Sequence, residues 1–191
     1  FGGNNGTASF NSVSVLDTAE WKWSHPIVTG KEPRPRTGHT ASLVPARRGG
    51  PGGDETQGGS GNCGLQCTAA VVIFGGWDPE LASTRNKRRK KSGHSPAASS
   101  GTPVAGGGCQ EEATSAYFND LFVLDTGRWF WSELSLPGPL PSVRTGHSAV
   151  FDAPRQRLLV FGGQRLTDDG RDVAFLDDLC EIGPLRITLA E

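Results

Sequence analysis

Laid on residues 124–149 without a gap, residues 16–41 match at 13 of 26 positions. The matches include Asp17/Asp125, Trp21/Trp129, Trp23/Trp131, Gly30/Gly138 and the whole Arg-Thr-Gly-His of 36–39 and 144–147. A second element recurs beside it: Phe-Gly-Gly at 1–3, 74–76 and 161–163. The spacing between the two elements is uneven. His39 to Phe74 is 35 residues but His147 to Phe161 is 14, an excess of 21. Gly3 to Leu16 is 13 but Gly76 to Leu124 is 48, an excess of 35. Removing both excesses from the 108-residue offset leaves a unit of 52. A chain made of such units must stack like on like, because each unit alone lacks a core of its own.

Each unit carries the same four pieces in the same order. RTGH with an apolar tail comes first (36–44, 144–151). A run closed by FGG follows (71–76, 158–163). FNSVSVLDT (10–18) or FNDLFVLDT (118–126) is third, and WKWS or WFWS is fourth. The pieces have strand length and strand composition, separated by Gly, Pro, Asp and Ser, and none sustains a 3.6-residue period. Four consecutive short strands make an antiparallel meander. VVIF, LLVF and LFVL are apolar on both alternating faces, so both faces of these inner strands are expected to be covered. A four-stranded sheet covered on each side by copies of itself is a propeller blade.

The Gly75-Gly76 and Gly162-Gly163 pairs, Asn119-Asp120-Leu121, Trp131 with its counterpart Trp23, and RTGH at 36–39 and 144–147 together resemble the kelch-repeat family. The resemblance covers every residue outside two insertions. It implies an all-β fold, a kelch-type β-propeller, incomplete at half a blade plus about two four-stranded antiparallel blades. The expected organisation places the third and fourth strands of a first blade in 1–35, a second blade in 36–134 and a third in 144–191. No tryptophan follows FLDDLCEI (175–182), so Ile187 and Leu189 are expected to stand in on a fourth strand there. With fewer blades than a closed ring needs, the chain is expected to be a fragment whose end blades expose apolar faces.

The insertions, 45–67 and 77–116, are rich in Gly, Ser, Pro, Ala and charge, and are expected to be disordered. The second contains RNKRRKK at 85–91, six cations in seven residues, which reads as an import signal, a contact for an acidic partner, or a solvated loop. Cys63-x3-Cys67 lacks the usual zinc spacing and two further ligands, so no metal is expected.

His39, His147, Arg36 and Arg144 recur once per blade. That is the mark of a structural task, since a catalytic group is needed once per site. The same reasoning covers Asp17, Asp125, Gly75, Gly76, Gly162, Gly163, Trp23 and Trp131. There is no Gly-x-Ser-x-Gly elbow and no phosphate loop. Kelch-type copper oxidases, by resemblance, need tyrosine and histidine ligands, whereas this chain has one tyrosine, Tyr117. No catalysis and no cofactor are therefore expected of this segment.

The expected role is a non-catalytic scaffold for protein–protein interaction. In an antiparallel meander the connections from second to third strand and from fourth to next first strand emerge at one end. Lys31, Arg34, Arg85, Lys87, Arg88, Arg89, Lys90, Lys91, Arg165 and Arg171 fall on those connections. A basic end would favour an acidic or phosphorylated protein or peptide. The alternative is the targeting or regulatory propeller of a larger enzyme, such as a ubiquitin-ligase adaptor or a phosphatase, or a kelch-fold oxidase. A net charge of −1 and no aromatics within the basic run argue against nucleic acid. No run approaches the ~18 apolar residues of a membrane span, and cysteine is sparse. The cytoplasm or nucleus is the expected compartment.

Overall fold

The computed structural model describes residues 1–45, 47–48, 69–82, 116–167, 171–185 and 187–189. Apart from one helical turn at 79–82, its regular structure is all strand. The elements are β1 (Val15–Asp17), β2 (Lys22–Ser24), β3 (Thr29–Gly30), β4 (Thr40–Pro45), β5 (Arg47–Arg48), β6 (Ala69–Phe74), β7 (Leu121–Asp125), β8 (Phe130–Leu134), β9 (Ser148–Asp152), β10 (Arg157–Leu166), β11 (Val173–Ile182) and β12 (Thr188–Leu189).

The second blade is the complete one. β4, β6, β7 and β8 pair antiparallel in chain order, with Leu43 opposite Val71, Val72 opposite Val123, and Leu124 opposite Trp131. The turn from β7 to β8 explains the repeated Leu-Asp-Thr. Asp125 Oδ1 accepts from the amides of Gly127 (2.8 Å) and Arg128 (3.2 Å), and Trp129 takes a positive φ of 52°. Asp17 does the same for Ala19 and Glu20 in the β1–β2 hairpin of the first blade. An Asx turn followed by a left-handed residue closes the connection 126–129 between the two strands.

Two apolar seams separate the blades, and the alternation of β6 and β7 divides their side chains between them. Ile73, Phe122, Leu124 and Trp131 pack with Val13 of the first blade. Val72, Phe74, Leu121 and Val123 pack with Leu158, Val160 and Ile182 of the third. These inner strands read apolar at every position because each face meets a neighbour. The architecture is an incomplete β-propeller.

The third blade departs from expectation. Its sheet is β11–β10–β9, three strands among the described residues. Ile187 and Leu189 do not form a fourth strand on it. After Ile182 the chain turns under the blade, where the Leu185 amide donates to Gln156 O at 2.6 Å. β12 then pairs in parallel with β5 of the second blade. Leu185, fully buried, takes the apolar role instead.

The insertions also keep structure at their ends. β4 runs to Pro45 and β5 follows, while Trp77 bridges both Thr37 and Tyr117 and stacks on the Tyr117 ring at 5.7 Å. Disorder is therefore the wrong description of 77–82 and of Ala116, which is buried. Their backbone groups have partners, as Asp78 N to Ala116 O (2.8 Å) illustrates. The run 85–91 and Cys63, Cys67 and Cys109 lie outside the described residues.

Candidate functional site

The residues that recur converge at the inner ends of the strands, where blade meets blade. Arg36 is buried with its guanidinium doubly bonded to Asp120: Nη1 to Oδ1 at 2.5 Å and Nη2 to Oδ2 at 2.9 Å. Nη1 also donates to Gly75 O (2.9 Å) and Nε to Arg34 O (3.1 Å). The ring of Phe118 lies 4.3 Å below the guanidinium carbon. Arg144 repeats the arrangement in the third blade, with Asp178 at 2.9 and 2.8 Å, Gly162 O at 3.0 Å and Ser142 O at 3.1 Å. A planar, always-charged fork satisfies carboxylate and carbonyls at once, which lysine could not. The bonds to Arg144 hold the Asp178 carboxyl well below the usual range, and the same bonds raise the guanidinium.

Asp120 lies in the Asn119-Asp120-Leu121 that carries the family resemblance, but neither it nor Asp178 was expected from the sequence to pair with a recurring arginine. The signal was present. Asp-Leu stands at 120–121, where β7 begins, and at 178–179, within β11, each in a unit that also carries RTGH.

The histidines serve the seams. The Phe74 ring of the second blade stands edge-on to His147 of the third, with ring centroids 5.2 Å apart and planes at 74°. Phe1 of the first blade meets His39 of the second in the same way, at 5.2 Å. His147 Nε2 shares a hydrogen bond with Thr40 Oγ1 of the preceding blade at 2.9 Å. Burial, then the neighbouring Arg36 or Arg144, lowers both imidazoles to about 4, so both are neutral at pH 7.

The glycine pair fits around these histidines. A Cβ on Gly75 would lie 2.8 Å from Cε1 of His147 in the next blade, and one on Gly76 would lie 2.9 Å from Cβ of His39 in its own. Both have positive φ, 65° and 98°. Gly2 meets His39 and Gly163 meets His147 in the corresponding ways. Gly162 differs: its Cβ would meet only Leu176 O, at 3.1 Å. The seam is closed by backbone bonds, Gly3 N to Arg36 O and Gly76 N to Arg144 O, each 2.8 Å, and by Gly146 N to Gly38 O at 2.8 Å along the innermost ring.

The tryptophans Trp23 and Trp131 lie on corresponding strands, β2 and β8, with unequal burial. Trp131 is 1% exposed and stands against Phe1 at 5.0 Å, whereas Trp23 is 62% exposed, with no blade behind β2 among the described residues. Phe161 is likewise 55% exposed where Phe74 is wholly covered.

The sequence-predicted basic residues have a different standing. Lys31 and Arg34 follow β3 on the connection between the first and second blades, and Lys31 is ion-paired with Glu133. Arg165 lies near the end of β10, where its Nη1 donates to Leu166 O at 3.1 Å, and Arg171 precedes β11. Arg165 and Arg171 both make further interactions, so they are not bare charges awaiting a partner. Arg85, Lys87, Arg88, Arg89, Lys90 and Lys91 lie outside the described residues. Among the described residues no three His, Cys, Asp or Glu side chains converge as a metal site would require, and no helix is long and apolar enough to cross a membrane.

No family model matches the chain. It is similar to the host cell factor homolog hcf-1 of Caenorhabditis elegans, 31% identical over 175 aligned positions that cover 79% of this chain and 19% of that protein. It is similar to Kelch domain-containing protein 2 of Bos taurus, 26% identical over 151 positions, 79% of this chain and 23% of that one. It is also similar to the Rho GTPase-activating protein gacHH of Dictyostelium discoideum, 25% identical over 163 positions, 85% and 7%. The chain thus spans under a quarter of the length of these relatives. Together with the sheet architecture, the likeness to a kelch-domain protein makes the fold an incomplete β-propeller of kelch type.

Proposed function

We propose that this chain is a non-catalytic, kelch-like propeller segment whose loop end grips a partner protein or peptide. One observation carries the reading: the polar residues that recur are consumed inside the seams. Arg36, Arg144, Asp120 and Asp178 are paired to one another, and His39 and His147 are neutral wedges against phenylalanine. What remains for recognition is the set of connections between strands. A rigid scaffold with variable loops at one end suits binding.

The partner we propose is acidic or phosphorylated, and the contact residues are Lys31, Arg34, Arg165, Arg171 and the run Arg85, Lys87, Arg88, Arg89, Lys90 and Lys91. Lys31 contributes least, because Glu133 already neutralises it. An intracellular setting, cytoplasmic or nuclear, accords with that reading.

The test is charge reversal of the six cations in 85–91 within the whole chain, with immobilised acidic and phosphorylated peptides as probes. The expected result is loss of capture with an unchanged circular dichroism spectrum. Undiminished capture would refute the basic-loop contact.

A second reading is favoured by the small share of each relative that the chain spans. The segment would then be the targeting or regulatory propeller of a larger protein. Transferring the chain to an unrelated carrier and following the carrier's partners would distinguish the two.

A further inference from the structure

The sequence contains one Asn-Gly pair, Asn5-Gly6. It lies on the first blade's short connection between Phe-Gly-Gly and the third strand, the connection that in the second blade is 77–116. Asparagine before glycine is the pairing most open to loss of its side-chain amide, because Gly6 has no Cβ to keep its nitrogen off the neighbouring carbonyl carbon. The reaction is intramolecular. The Gly6 amide gives up its proton to solvent, and its nitrogen bonds to Asn5 Cγ. The Cγ–Nδ2 bond breaks and ammonia leaves, closing a cyclic imide. Water then opens the ring at either carbonyl, giving aspartate or isoaspartate, with no oxidant or reductant. The structure opposes the first step. The Gly6 amide donates to Asn4 Oδ1 at 3.0 Å, which engages the proton that must leave. Asn5 Oδ1 accepts from the Thr7 amide at 2.9 Å and the Ala8 amide at 2.8 Å, which holds the carbon to be attacked. The turn is closed behind them by Asn5 N to Ala8 O at 3.2 Å and by the Asn4–Ser9 bridge. Bringing Gly6 N onto Asn5 Cγ requires these bonds to break.

We propose that Asn5 is a site of spontaneous deamidation whose rate the turn restrains, with Asn4 withholding the Gly6 amide, and whose isoaspartate product loosens the first seam. The site is separate from the proposed contact residues and does not rest on that reading. Isoaspartate adds one backbone carbon to the Asn5–Ala8 turn. The strands that this turn joins pair through Phe10 N to Gly3 O at 2.9 Å. The same two residues flank Arg36 of the second blade, through Gly3 N to Arg36 O at 2.8 Å and Arg36 N to Phe10 O at 3.1 Å. A lengthened turn shifts Gly3 against Phe10, so both cannot keep their bonds to Arg36. Phe1, two residues before Gly3, then loses its place against the His39 ring. The second seam, where Phe74 meets His147, has no part in the turn and stays closed.

The test is to age the whole chain in mildly alkaline buffer and follow Asn5 by mass spectrometry, as the small mass gain that accompanies loss of ammonia and uptake of water. The folded chain should react about tenfold more slowly than a free peptide of residues 1–12. That comparison needs no variant. Asn4→Ala, at an exposed position, should react about threefold faster than the parent and exchange its Gly6 amide hydrogen sooner, with an unchanged circular dichroism spectrum. Asn4→Asp, which keeps an acceptor there, should react no faster than the parent. The isoaspartate form, separated by chromatography, should lose the nuclear Overhauser contacts between Phe1 and His39 and keep those between Phe74 and His147. Equal rates in chain and peptide, or a rate indifferent to Asn4→Ala, would overturn the proposal. So would an isoaspartate form whose Phe1 and His39 contacts are intact.

Discussion

Gly75 and Gly162 hold the same place in successive copies of one motif, yet only Gly75 has a histidine in front of it. Alanine at 75 must displace the His147 ring and accept a positive φ, and should cost about 2–4 kcal/mol by urea unfolding. Alanine at 162 meets one carbonyl, so its cost is mainly that of backbone conformation, about 1–2 kcal/mol. Equal losses would mean that the glycine serves its turn alone. The two histidines give a pH signature. Each has a folded value of about 4 against an unfolded 6.5, so the unfolded chain binds more protons in between. Their contribution is whole above pH 6.5 and is lost as pH falls toward 4. The urea midpoint should therefore drop across that window, and His147→Gln should flatten the slope. The repeat made these residues legible as structural, since a motif present once per blade cannot be a single active centre. Their partners were less legible. That Arg36 reaches across 84 residues to Asp120 depends on side-chain geometry at the strand ends, which a strand order does not specify.

Element by element, the four-strand order and the sharing of β6 and β7 between two seams follow from runs that are apolar on both faces. The outer strands are where expectation and structure part. Trp23 and Trp131 are equal in sequence but not in surroundings: Trp131 fills a seam with Phe1 and Leu124, while Trp23 faces outward. Trp131→Ala should cost about 3–5 kcal/mol and Trp23→Ala under about 1 kcal/mol in the same unfolding assay. β3 escaped detection because a Thr-Gly pair has no strand signature. Its trace was the matched Gly30 and Gly138. Gly30→Ala would set a Cβ 2.3 Å from Trp131 O and should detach β3, freeing the Thr29 and Lys31 amides to faster hydrogen exchange. Gly138→Ala should change exchange little. That β12 joins β5, leaving three strands in the third sheet among the described residues, could not be read from GPLRITLAE either, because strand propensity does not say which sheet a strand will join.

At the scale of the molecule, stability lies between blades more than within them. The described chain has no closed core of its own in any single blade, and its two seams are the cores. The exposed Phe161, Leu179 and Val150 on the open side of the third blade mark where such a seam would continue. Solubility should therefore rise when this face is made polar, and Phe161→Ser should raise the protein concentration reached before precipitation without altering the β-sheet spectrum. The central claim is that the Phe-Gly-Gly at 1–3 and at 74–76 are each seated on the Arg-Thr-Gly-His of the following blade. Nuclear Overhauser contacts between the Phe74 ring protons and His147 Hε1, and between Phe1 and His39, test it most directly. Both sets should be present at pH 7. Their absence in a folded, strand-rich chain would contradict the account.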